Sequence, residues 1–307
     1  MGEVSIVMAT YNGAHYLEEQ IESILANTYE DWTMEICDDG STDRTLSIIE
    51  RYQELYPNKI KFHPNEEQLG VTRNFLEGAM RANGEYVMFC DQDDVWLPEK
   101  IEKTLKFMKE REKLSGENTP IAVFTDAKVV DGALRNINSS FFAYNKLDTK
   151  KIDLPHLLVE NKMIGCTTMI NRGILDKVIE FPNFARYHDW WIALIAAVFG
   201  EIAFLNESTM LYRQHSKNMV GSQSFFAYVI DRIKNIKKQK ENLIKTEKQA
   251  WEFCEIYKKY LLEEQRQIIW DFANIRSENL IERRDRLFRH KLWKTGVARN
   301  IGLFFLI

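Results

Sequence analysis

The chain has 307 residues, 45% hydrophobic and 28% charged, with a formal net charge of -4. That is enough for one large core or one domain with an appendage, and it excludes a disordered or low-complexity protein. The four cysteines (Cys37, Cys90, Cys166, Cys254) show neither metal-type spacing nor a disulfide framework, so they read as reduced core residues of a cytosolic protein.

The elements follow in order. Val4 to Met8 reads as a first strand ending in Ala9-Thr10-Tyr11-Asn12-Gly13, then Leu17, Ile21, Ile24 and Leu25 recur at helical spacing. Trp32 to Cys37 is a second strand, ending in Asp38-Asp39-Gly40-Ser41-Thr42-Asp43, and Leu46, Ile49 and Tyr52 stripe the next helix. A short strand at Lys59 to Phe62 and a helix opened by Gly70 lead to the apolar run Tyr86 to Cys90. Pro98 starts a helix, Ile121 to Thr125 is a strand, and residues 136–153 read as an exposed loop or insertion. Met163 to Ile170 is a strand and Asp189 to Phe199 an aromatic-rich helix, followed by two short strands at Ile202–Leu205 and Thr209–Tyr212. Residues 224–290 read as two or three amphipathic helices. Strands alternating with helices of this length predict an α/β fold with a mostly parallel sheet and a C-terminal helical appendage, divided as 1–221 and 222–307.

Asp91-Gln92-Asp93-Asp94 closes an apolar strand, and its three carboxylates would repel one another without a positive partner. Ligands of open α/β sheets bind outside the carboxyl ends of the strands, so a hard divalent cation shared with substrate phosphates fits this position. Parallel strands bring Asp38-Asp39 to the same edge, where a carboxylate suits a base or ribose hydrogen bond. The competing reading of Asp38-Asp39-Gly40 is a helix N-cap turn.

These motifs, with Asn65 to Asn74, His188-Asp189-Trp190-Trp191 and Tyr212-Arg213-Gln214-His215, resemble the inverting glycosyltransferase family 2, of nucleotide-sugar-binding GT-A fold. The resemblance runs from Val4 to about Gly221. It implies that Ala9, Tyr11 and Asp39 line the nucleotide, that Arg73 lies near the base or phosphates, and that Asp91 and Asp93 hold Mg²⁺ or Mn²⁺, Asp91 also facing the donor. Asp189 would be the catalytic base. Inverting transfer needs such a base and a Lewis acid for the leaving diphosphate. Aromatic neighbours suit sugar stacking, which makes Trp190 and Trp191, with Asp94, acceptor-binding candidates; the alternative is an N-cap at Asp189 and plain core tryptophans. Arg213 is a candidate phosphate ligand and His215 a metal or phosphate ligand; the alternative is an exposed loop. Gly165-Cys166-Thr167-Thr168 lines the acceptor cleft or packs as a small-residue strand. The wording of Asp-Gln-Asp-Asp-Val-Trp and Tyr-Arg-Gln-His resembles bacterial rhamnosyltransferase-type enzymes of cell-surface polysaccharide synthesis. The implied donor is a nucleoside-diphosphate sugar (dTDP-rhamnose or a UDP-sugar), and the implied acceptor a lipid-linked or polysaccharide glycan. A sugar-nucleotide nucleotidyltransferase is the rival enzyme reading, although residues 9–13 carry no Lys or Arg; a non-catalytic membrane scaffold is the third.

Residues 222–307 hold 18 Lys+Arg against 11 Asp+Glu, so the tail is basic and the body acidic. Lys234, Lys237, Lys238 and Lys240, then Arg283 to Arg299 interleaved with Leu287, Phe288, Leu292 and Trp293, lead to the apolar end Leu303 to Ile307. That pattern predicts peripheral attachment to an anionic inner membrane face. Packing on the body or a dimer contact through these helices is the alternative, and nucleic acid is not expected. Because every catalytic motif precedes Gly221, the tail reads as dispensable for chemistry.

Overall fold

The structure, a computed structural model, describes residues 3–215 and 236–307. The expected boundary at Gly221, the helical start at 224 and Lys234 lie outside the described residues. Strands β1 (Val4–Thr10), β2 (Trp32–Asp38), β3 (Ile60–Pro64) and β4 (Tyr86–Asp91) run parallel in the order β3-β2-β1-β4. Helices α1 (Leu17–Leu25), α2 (Thr45–Leu55) and α3 (Val71–Arg81) connect them. Strands β1 and β4 are buried on both faces, which is why they read as near-continuous apolar runs. The register sets Thr10 opposite Asp38 and Ala9 opposite Asp91, so both acidic strand ends reach one edge.

Beyond β4 the sheet is mixed. After the two-residue β5 (Val95–Trp96) and helix α4 (Lys100–Ser115) come β6 (Ile121–Asp131) and β7 (Asn136–Asn138). Strand β8 (Thr168–Asn171) lies antiparallel between β4 and β6, and β9 (Glu201–Gln214) runs parallel to β6 and antiparallel to β5. The stretch expected as two short strands is one, because a register shift at Thr125/Asp126 carries the pairing past the polar residues Asn206 and Glu207. The strand expected at Met163–Ile170 shortens to β8, its first half being a one-turn helix over Gly165–Thr167. The expected loop at 136–153 contains β7 and the short α5 (Phe141–Asn145). Helices α6 (Leu154–Val159), α7 (Arg172–Leu175) and α8 (His188–Phe199) complete this part.

The C-terminal helices are α9 (Ile236–Tyr257), α10 (Glu263–Ala273), α11 (Leu280–Arg289) and α12 (Val297–Leu306). A single buried cluster joins Phe75 and Phe89 through Trp191 and Ile195 to Phe253, Phe272, Leu287 and Leu303. Trp191 packs on Phe253 and Tyr257, with ring centroids 5.1 and 6.2 Å away. Several of the arginines are used within the fold. Arg276 pairs with Glu247 at 2.7 Å, Arg286 with Asp271 at 3.3 Å, and Arg276 and Arg283 donate to the carbonyls of Leu306 and Ile307. Leu303 and Ile307, expected as an exposed apolar end, are buried.

Candidate active site

A cavity of about 530 Å³ opens at the carboxyl ends of β1 and β4. Ala9, Tyr11, Asp39, Asp91, Asp93, His188 and Asp189 all line it, as do Asn161 to Gly165, and the strand order β2-β1-β4-β8 places the strand ends that carry Asp39 and Asp91 on either side of β1.

The two aspartates after β2 divide their work. Asp38 is the turn cap that the competing sequence reading describes: it accepts from Thr10 Oγ1 at 2.7 Å and from the Ser41 and Gly40 N–H groups at 2.8 and 3.1 Å. Asp39 faces the cavity and accepts from Leu69 N–H, Gly70 N–H and Asn65 Nδ2 at 2.7, 2.9 and 3.0 Å. Two carboxylate oxygens offer about four acceptor sites, so three donors leave Asp39 room for a ligand N–H or O–H. Gly70, at φ +78°, supplies one of these donors from a backbone shape that a side chain would strain. Tyr11 is held by Gln92, whose Oε1 accepts from the Tyr11 N–H at 2.9 Å and whose Nε2 donates to its carbonyl at 3.1 Å.

Asp91 and Asp93 both line the cavity, and His215 Nε2 lies 2.9 Å from Asp93 Oδ2. His215 and Asp93 are hydrogen-bonded to each other here, and Asp93 shares the cavity wall with Asp91, so Asp91, Asp93 and His215 would be the residues to hold a divalent cation. Burial, with Asp93 and Asp189 nearby, pushes Asp91 up to about 7, the behaviour of a carboxylate short of positive charge. Ligand atoms of Asp91, Asp94 and Cys166 also lie within 4.8 Å of one another. Asp94 and Cys166 do not line the cavity, however, and burial holds the Cys166 thiol well above its ordinary value, in its poorly ligating protonated form.

Asp189 sits in the first turn of α8. Its Oδ2 accepts from Gly165 N–H at 3.0 Å and its Oδ1 from Trp190 N–H at 2.6 Å. Burial raises its carboxyl to about 6, against the pull of these two N–H groups and of Asn161. The neighbouring His188 is driven down to about 3 by burial and is therefore neutral, its ring 4.0 Å from that of Phe75 and 4.9 Å from that of Phe89. Asp189 is ionised at neutral pH.

Several expected contacts are corrected by simple periodicity. Trp190 and Trp191 do not line the cavity: α-helical side chains advance about 100° per residue, which turns both away from the Asp189 side. Trp190 Nε1 donates to the Leu157 carbonyl at 2.6 Å, and Trp191 is fully buried against the C-terminal helices. Strand alternation does the same at 212–213. Tyr212 lines the cavity, while Arg213 points the other way as a buried strut, donating to the carbonyls of Asp93 and Gly132 at 2.7 and 2.8 Å and pairing with Glu19. Asp94 is fully buried, and its Oδ1 accepts the Arg213 N–H at 2.9 Å, so it supports the site from behind. Arg73 is half exposed on α3, pairs with Glu77 at 2.7 Å, and is absent from the cavity wall, to which its neighbour Asn74 contributes. Sequence reasoning missed Gln92, Asn161 and Lys162, all of which line the cavity. Gln92 lies inside the acidic motif itself; nothing in the sequence marks the other two.

Comparison with known proteins agrees with this geometry. The model of glycosyl transferase family 2 matches residues 5–179. A glycosyltransferase of Nostoc is 31% identical over 70% of this chain and 66% of its own length. The dTDP-rhamnosyl transferase RfbG of Shigella flexneri is 30% identical over 71% of this chain and 75% of its own. Among solved structures, S. aureus TarS with UDP superposes at a TM-score of 0.57 with 20% identity, over 89% of this chain and 71% of that one. The mannosyltransferase PcManGT of Pyrobaculum calidifontis, with GDP-Man and Mn²⁺, gives 0.58 with 19% identity, over 97% and 78%. The fold is of the GT-A type.

Proposed function

We propose that this chain, a glycosyltransferase belonging to glycosyl transferase family 2, moves a sugar with inversion from a nucleoside-diphosphate donor to a lipid-linked or polysaccharide acceptor. The observation that carries this reading is that Asp39, Asp91, Asp93 and Asp189 line one cavity. Asp39 receives the base or ribose, beside Ala9 and the clamped Tyr11. Asp91 and Asp93, with His215, hold Mg²⁺ or Mn²⁺, which supplies positive charge to the departing diphosphate. Asp189 accepts the proton of the acceptor hydroxyl, its oxygens aimed by the Gly165 and Trp190 N–H groups. The similarity to a dTDP-rhamnosyl transferase supports dTDP-rhamnose as donor, with UDP-sugars next. Thermal unfolding with Mn²⁺ and dTDP-rhamnose, UDP-glucose, UDP-GlcNAc or GDP-mannose tests this, because a specific donor raises the midpoint with concentration. No shift with any of the four removes the reading.

Attachment to an anionic membrane surface is a second part of the proposal, and its support has moved within the tail. No described helix is long and apolar enough to cross a bilayer. On α12, Val297, Ile301 and Phe305 recur every four residues and are more than half exposed, forming one apolar stripe. Arg276, Arg283 and Arg286 are engaged internally, so this stripe, with less help from charge, would enter the interface.

A further inference from the structure

The C-terminal segment reaches the wall of the cavity, which its sequence position gives no reason to expect. Glu160 and Lys162 flank Asn161, which lines the cavity, as does Lys162 itself. Lys162 Nζ is almost fully buried and bonds both Glu160 and Thr295 Oγ1. The Thr295 N–H donates to Glu160 Oε2 at 2.7 Å, and Arg299 Nε lies 3.5 Å from Glu160 Oε1. On the other wall, Arg299 donates to the carbonyls of Asn145 at 2.6 Å and Lys146 at 2.7 Å, and Thr295 Oγ1 accepts the Asp148 N–H at 3.3 Å. The lining residue Leu147 lies between these anchored positions.

The 160–165 loop then continues to the reacting end. Asn161 Oδ1 accepts the Met163 N–H at 3.1 Å, which tightens the turn, and two residues later Gly165 gives its N–H to Asp189 Oδ2 at 3.0 Å. Gly165 passes so close to His188 that a Cβ there would meet His188 Nε2 at 2.5 Å, so only glycine fits this point of the loop. A continuous set of bonds therefore runs from α12 and the turn before it, through Glu160 and Lys162, to the carboxylate of Asp189.

We infer that Thr295 and Arg299 are positioning residues: they brace the 160–165 loop so that Gly165 aims Asp189, making the C-terminal helices part of the catalytic apparatus. The inference rests on the proposed role of Asp189 as base. It runs against the sequence expectation that the tail is dispensable for chemistry.

The test uses the full chain and Arg299→Ala, Arg299→Lys and Thr295→Val. Hydrogen exchange is read on peptides covering 160–165, and turnover on whichever of dTDP-rhamnose, UDP-glucose, UDP-GlcNAc and GDP-mannose the wild type hydrolyses with Mn²⁺. Arg299→Ala should speed exchange at 160–165 about tenfold or more, leaving β1 to β4 unchanged. It should lower kcat on the order of 10- to 100-fold with donor KM unchanged, since small displacements of a reacting group cost that much. Arg299→Lys, which keeps the charge and one donor, should recover part of kcat. Thr295→Val should loosen the same peptide if Arg299→Ala destabilises the whole chain. Unchanged exchange at 160–165 in both Arg299→Ala and Thr295→Val overturns the brace. Faster exchange with full kcat overturns its positioning role. Should Asp189→Asn retain wild-type turnover, the failure is that of the assigned base, and the exchange result still decides the brace.

Discussion

Asp189→Asn should make this protein more stable at pH 8 and nearly inactive. The carboxyl is raised from an ordinary 3.8 to about 6 because it is buried. A raised carboxyl means that the folded state holds its proton more tightly than the unfolded chain does. The fold therefore loses stability as pH rises from about 4 to 6, and the whole loss is present above 6. The difference between 3.8 and about 6 corresponds to about 3 kcal/mol. Asparagine removes the buried charge but turns an NH₂ toward the Gly165 or Trp190 N–H, which costs about 1 kcal/mol. The net expectation is that Asp189→Asn is more stable than wild type by roughly 1–2 kcal/mol at pH 8. The gap should close between pH 6 and pH 4. Urea unfolding in EDTA at pH 4, 5, 6 and 8 measures it. Turnover should fall by about two to four orders of magnitude, while wild-type activity should drop on its acid side as pH passes below about 6. A variant less stable than wild type at pH 8, or a gap independent of pH, would refute the account of Asp189 as a charge held at the expense of the fold.

Asp93→Ala and EDTA should each weaken nucleoside diphosphate binding to a similar degree, and the two should not add; calorimetry showing equal affinity with and without Mn²⁺ contradicts the shared site at Asp91, Asp93 and His215. Trp191→Ala should cost about 3–5 kcal/mol by opening a void against Phe253 and Tyr257, seen as a lowered unfolding midpoint. Acceptor KM should be unchanged at temperatures where the variant stays folded; a raised KM would return Trp191 to the acceptor site. Ile301→Asp with Phe305→Asp should abolish co-sedimentation with phosphatidylglycerol vesicles while leaving donor hydrolysis intact, and binding that survives the pair would place any membrane contact elsewhere.

The elements that dominate the fold were legible because their burial is two-sided or strictly periodic. The runs at Val4 and Tyr86 show the apolar continuity of covered parallel strands, and Leu17, Ile21 and Ile24 form a helical stripe that is buried as drawn. Parallel order brings Thr10, Asp38 and Asp91 to one edge, so the meeting of Asp39, Asp91 and Asp93 in one cavity follows from topology and spacing alone. What failed was orientation at the scale of one residue. Asp189 and Trp190 are adjacent in sequence, yet a helix sends them to different sides. Tyr212 and Arg213 divide in the same way between cavity and core, along a strand. A motif quoted as a block hides that division, whereas the periods of 3.6 and 2 would have predicted it.

The tail misled for a different reason. Composition reports how many charges a segment carries and says nothing about what they face. Arg283 and Arg299 sit in a pattern that suits an anionic surface, but each donates to main-chain carbonyls inside the fold. A guanidinium with five donors in a rigid fork is well suited to holding several carbonyls at a chain reversal, and at such sites its charge is incidental to its geometry. Net charge therefore says little about what Arg276, Arg283, Arg286 and Arg299 do. The pairing that matters, Glu160 with Thr295 and Arg299, spans more than 130 positions, and no local window could bring those residues together. Only the fold does so, and in doing so it joins the part of the chain richest in basic residues to the loop that holds the Asp189 carboxylate.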